Sequence, residues 1–163
     1  MDVPAPSRVD ATPGATKVVL VGVLLTTAGA LAFVLSTGEK AGAILALLTT
    51  LFVVRVTGQV FVLARRPTWL PPAGEWNLMP YRLLLPLQAA LVGLMVALCV
   101  GARVPGLAAI AAPASFVYWG SMAARYAVRM ARRPNQRWFG GTIPIVFHCV
   151  LAAFLFVLGI SNG

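Results

Sequence analysis

Acidic side chains are almost missing from this chain, with four in 163 residues (Asp2, Asp10, Glu39 and Glu75) against thirteen Lys and Arg. None lies inside a long apolar run. Metal-dependent phosphoryl transfer needs carboxylates to hold its ion, and coupled cation transport usually relies on carboxylates at membrane depth. The spans offer neither, and a Ser-His-Asp site would lack its acid. Cysteine is scarce as well: Cys99 and Cys149 have no Cys-x-x-Cys spacing, so no disulfide framework or zinc site is implied. Each reads as a small hydrophobe. The one histidine, His148, cannot by itself supply both ligands of a bis-histidine haem. No cofactor, catalytic set or metal set is assigned on these grounds. A conventional enzyme is not expected, and the reading left in that class centres on His148.

What the chain has is apolar length. Hydrophobic residues make up 60% and charged residues 10%, whereas soluble domains carry about 25% charged residues. Apolar runs of the length needed to cross a bilayer, about 20 residues, recur along it. They lie at about 18–36, 41–64, 81–100, 106–129 and 142–160. Backbone groups in lipid must pair internally, and runs this long without strict alternation are helices, not barrel strands. The expected fold is therefore an all-α integral membrane protein, a bundle of about five transmembrane helices. A disordered tail, 1–16, precedes a single transmembrane domain, 17–163. The first run also carries signal-peptide features, a basic flank (Arg8, Lys17) and the small-residue site Ala28-Gly29-Ala30. It continues to Leu35, longer than a usual signal core. Its cleavage stays an open alternative.

The net charge of +9 is distributed by loop. With the N-terminus inside, the inner side collects Arg8, Lys17, Arg65, Arg66, Arg82, Arg129, Arg132, Arg133 and Arg137, and the outer side only Lys40 and Arg103. This is the positive-inside pattern, so the N-terminus is expected in the cytoplasm and the C-terminus outside. Bases set between apolar spans fit lipid head groups rather than nucleic acid, which is not expected as a partner. Trp69, Trp76, Tyr81 and Trp138 fall at the inner edge, as in an interfacial aromatic belt. The phrases Ala64-Arg65-Arg66-Pro67 and Ala131-Arg132-Arg133-Pro134 match. Two readings stay open, a duplicated helical hairpin and convergent membrane-edge chemistry. Arg-rich, Ala- and Val-rich composition suggests a bacterial inner membrane.

Ionisable groups inside spans are costly and need a stated reason. Arg55 lies about 13 Å above the inner end of the second span by helical rise, with Gln59 one turn later and Arg66 on the same face. Tyr118, Ser121, Arg125, Arg129 and Arg132 form a stripe on the fourth span. Gln88 on the third span and His148 on the fifth fall in the same half. These residues predict a basic ligand site of Arg55, Gln59, Gln88, Ser121, Arg125, Arg129 and His148, open to the cytoplasmic half. A guanidinium taken out of water needs an acceptor, and its fork suits carboxylate or phosphate.

Two functions follow. One is binding, with transport as an extension, of an anionic amphiphile or lipid. The other is an accessory subunit whose basic face docks a partner in a larger membrane complex. Anionic membrane lipids are the expected partners, and self-association is expected for so small a bundle. Among structural features, Gly22, Thr26 and Ala30, and Ala108, Ala112 and Ser115, are spaced for close helix packing. Pro86 and Pro144 are expected to kink their helices or to sit in first turns.

Overall fold

The structure, a computed structural model, describes residues 13–37, 41–65, 80–132 and 142–161. Expectations placed on Arg66, Trp69, Trp76, Arg133, Trp138 and most of the tail lie outside these residues. Five helices and no strand occur among the described residues: α1 Pro13–Thr37, α2 Ala41–Arg65, α3 Tyr81–Cys99, α4 Leu107–Arg132 and α5 Thr142–Ser161. Apart from the start of α1, each helix begins and ends within three residues of its expected run. Helix α1 starts earlier because Pro13 suits a first turn, where its missing N–H would have had no helical partner. Four helices, α1, α2, α3 and α5, are long and apolar enough to cross a membrane. Helix α4 has the length, 26 residues, but its tyrosines, serines and arginines make it less apolar.

Helix α5 is the hub. It packs most extensively on α4, then on α2 and α1, while α3 packs on α2 and α1 also touches α2. Thirteen of its residues are buried, against two in α3, Gln88 and Met95. Burial in α2 instead follows one stripe, Ile44, Leu48, Phe52, Arg55, Gln59 and Val62, at three- and four-residue spacing. Apolar groups gain nothing by leaving lipid for one another, so membrane helices associate through close packing.

Helices α4 and α5 cross at such a close contact. A Cβ added to Gly159 would lie 2.5 Å from the Ala112 backbone nitrogen and 2.7 Å from its Cβ. Ser115 next to it is fully buried, its hydroxyl donating to the Ala112 carbonyl at 2.6 Å. The packing stripe expected on α4 is thus real at Ala112 and Ser115. Further along, Phe116 and Trp119 meet the Phe156 ring at centroid distances of 5.6 and 5.7 Å. On α1 the outcome differs. Gly22 and Thr26 are exposed, and the buried face is Leu20, Thr27, Ala30 and Val34. Of the expected stripe Ala30 alone is on the packed side; α1 is apolar all round, so small-residue spacing does not fix which side that is.

The turn from α3 to α4 follows from glycine. Gly101 adopts φ +97°, which lets Ala102 N–H reach the Ala97 carbonyl at 2.9 Å and Gly101 N–H reach Leu98 at 3.3 Å. That pair of bonds is a Schellman cap. Pro144 sits in the first turn of α5, where it breaks no bond, whereas Pro86 and Pro113 lie inside α3 and α4.

Gly159→Ala forces the two backbones apart and is expected to cost about 1–3 kcal/mol, read as a lower unfolding midpoint in detergent. Gly93→Ala adds a Cβ that meets nothing within 4 Å and is expected to leave the midpoint unchanged. Equal effects of the two substitutions would contradict the close crossing.

Candidate functional site

Arg55 is the fifteenth residue of α2, ten before its basic end, and only 5% of its surface is exposed. The stripe that packs α2 into the bundle carries it inward. Its guanidinium carbon lies 5.8 Å from the centroid of the Phe52 ring, one turn earlier, and 5.7 Å from that of Phe147 on α5. The two rings offer π-faces to the cation but no hydrogen-bond acceptor, and Nε has no hydrogen-bond partner. All four acidic residues of the chain fall outside the described segments, so no carboxylate stands among the described residues.

Around Arg55 the bundle gathers groups from all the other helices that flank it. The Tyr118 hydroxyl on α4 and the Tyr81 hydroxyl on α3 lie within electrostatic reach of the guanidinium. His148, next to Phe147 on α5, is within reach of both Arg55 and Arg125. Its ring packs edge-on against Tyr118 with centroids 5.9 Å apart. The His148 Nδ1 bonds the Pro144 carbonyl one turn back. A carbonyl only accepts, so Nδ1 carries the proton, and Nε2 is the nitrogen left for other partners.

Gln59 is fully buried on α2 and Gln88 is 4% exposed on α3. Thr49 Oγ1 meets Cys99 Sγ at 3.4 Å, which sets the register of the antiparallel α2–α3 pair. Counting from that contact, both glutamines stand roughly 15 Å further toward the basic end, level with each other. The Gln88 Oε1 has no hydrogen-bond partner. A buried amide left so costs about 1–3 kcal/mol.

The expected site residues therefore do not all converge. Arg55, Gln59, Gln88 and His148 are buried or half-buried within the bundle. Arg125 is exposed on α4, though near enough to act on Tyr118 and His148. Arg129 is half-buried one turn closer to the basic end. Ser121 is exposed and its hydroxyl donates to the Tyr118 carbonyl on its own helix at 2.7 Å, so it is not committed to His148. Its place in the stripe holds by spacing, but the face that meets α5 is that of Ala111, Ser115 and Met122.

Sequence reasoning passed over Phe52 and Phe147. Phe52 was findable, three residues before Arg55 on one face, but Phe147 depends on how α2 meets α5. It also missed the Trp119 indole, which donates to the Cys149 carbonyl at 3.2 Å. Among the described residues no group of three or more His, Cys, Asp or Glu is placed to hold a metal ion. What the site offers chemically is a buried guanidinium with the Tyr81 and Tyr118 hydroxyls in its electrostatic reach and no carboxylate among the described residues.

A buried cation without an acid destabilises the empty bundle. Arg55→Met is expected to leave the stability of delipidated protein unchanged or to raise it by about 1–4 kcal/mol, measured by unfolding in detergent. A loss of several kcal/mol would mean instead that Arg55 already has its partner within the protein.

Comparison with known protein families, with characterised proteins and with solved structures finds no match for this chain.

Proposed function

We propose that this chain is a five-span membrane protein that binds the anionic head of an amphiphile at Arg55, within the basic half of the bundle. The observation that carries the reading is the Arg55 guanidinium, 5% exposed, held between two phenylalanine rings, with Nε unpartnered. An arginine so placed needs a negative acceptor, and no carboxylate among the described residues supplies one.

Support for α4 as the fifth span comes from its packing along α5 and from its surface. Its 26 residues amount to roughly 39 Å of helix, and Ile110, Phe116, Val117 and Val128 face outward. Arg125, Arg129 and Arg132 gather at one end, where long side chains extend to head groups. Lys17, Arg65 and Arg82 belong to that same end in an up-and-down bundle, and Arg103 alone among the described residues to the other. The positive-inside rule then puts the basic end in the cytoplasm, with the N-terminus inside and the C-terminus outside a bacterial inner membrane. Topology reporters fused to the two termini are expected to report opposite sides. Both on one side would rule out five spans.

The binding reading is tested by native mass spectrometry of the gently extracted protein, with identification of the lipids that stay bound. An anionic lipid or metabolite is expected on the wild type and lost in Arg55→Leu. A protein that retains no anion, or one that instead carries another membrane protein through its basic face, would overturn the reading in favour of an accessory subunit.

A further inference from the structure

Resting on that reading, we infer that the Arg55 site takes a head with a single negative charge, a carboxylate or a phosphodiester. Doubly charged phosphate monoesters are discriminated against.

The positive charge at the site amounts to one guanidinium. Arg55 is 5% exposed, and no second cation is buried among the described residues. Arg125 stands two turns beyond Tyr118 on α4, roughly 10 Å by helical rise, and is exposed to the surroundings. Arg129 is one turn further still. The walls next to the guanidinium add no charge, since they are the Phe52 and Phe147 rings, both buried.

The donors carried by the same helices are committed elsewhere. His148 follows Phe147 on α5, and its Nδ1–H donates to the Pro144 carbonyl. Thr49 donates to Leu45, Ser115 to Ala112 and Ser121 to Tyr118, each within its own helix. The Trp119 indole donates to the Cys149 carbonyl. A head at Arg55 therefore meets one fork of N–H groups, whose Nε has no partner. Nearby groups such as the Tyr118 hydroxyl, on the ring packed against His148, supply a dipole and no charge.

Two effects scale differently with the charge of the head. Attraction to one guanidinium grows in proportion to that charge. The cost of removing the head from water grows with its square. A second charge thus doubles the attraction and quadruples the cost, and no further cation offsets the difference. The fork itself is matched by two oxygens that share one charge, as in a carboxylate or a phosphodiester. At an exposed arginine the dianion would keep its water, so the preference depends on the burial of Arg55.

The test uses the full chain in nanodiscs and dodecyl amphiphiles that differ only in the head: laurate, dodecyl methyl phosphate and dodecyl phosphate. A phosphate monoester loses its second proton near pH ~6, so it is a dianion at about pH 8 and a monoanion at about pH 5. In competition read by native mass spectrometry at the higher pH, laurate and the diester are expected to exceed the monoester about tenfold. That ratio corresponds to about 1.4 kcal/mol. At the lower pH the monoester is expected to draw level with the diester. Arg55→Gln is expected to lose the diester and the discrimination together. Arg55→Lys, which keeps the charge without the fork, is expected to bind more weakly with the same preference. Each variant is first matched to wild type by its unfolding midpoint.

A monoester that binds at the higher pH as well as the diester, and through Arg55, overturns the single-charge site while anion binding stands. Discrimination that persists in Arg55→Gln overturns it too. Dimethyl phosphate, the same head without a tail, is expected not to displace the diester. Displacement at equal concentration would support the single charge and overturn the amphiphile. Binding of none of these anions removes both readings.

Discussion

Where Arg55 of α2 lies against Phe147 of α5, packing and charge meet, and the rest of the bundle is arranged around that seam. Helix α5 is apolar enough to be buried on nearly every side, so it can serve α1, α2 and α4 at once. Helix α2 gives α5 only one stripe, and Arg55 is in it. The cation is inside because the stripe is continuous: rotating α2 to release Arg55 would also withdraw Leu48, Phe52 and Val62. Close contact between α4 and α5 at Ala112 and Gly159 holds the other wall, and brings Tyr118 and His148 to the same level.

Hydroxyls in this bundle are mostly satisfied within their own helices. Thr27, Thr49 and Ser115 each donate to a carbonyl three or four residues back, so they add little polarity to the interior. Among the described residues, Arg55 at Nε and Gln88 at Oε1 keep unspent hydrogen-bonding capacity. Both come from the half of the bundle with the arginine-rich end.

Much of the architecture was legible in the sequence. Helix number and position follow from apolar runs bounded by Pro and Gly, because backbone pairing in lipid leaves the helix as the local solution. The packing role of Ala112 and Ser115 is likewise a local matter of side-chain size. Rough depth was legible too, since helical rise sets Arg55 and His148 in the basic half of their spans, at about 15 and 9 Å from its ends. Direction was not. Ser121 shares a stripe with Tyr118 yet faces outward, and Gly22 and Thr26 stand exposed on a helix that packs through Leu20 and Val34. On helices apolar all round, spacing says which residues lie together but not which way they face.

The sequence by itself determined five helical segments, the concentration of basic residues at one end, and a cation deep in the second helix with no acid inside any span. These depend on composition and rise per residue, which do not change with the neighbours. Only the tertiary structure decided that Arg55 sits between Phe52 and Phe147, that Tyr81 and Tyr118 come within its electrostatic reach, and that α5 is the helix on which α1, α2 and α4 pack. Those follow from which helix packs on which, and that choice is made by shape at contacts such as Gly159 on Ala112, where partners far apart in the chain first meet.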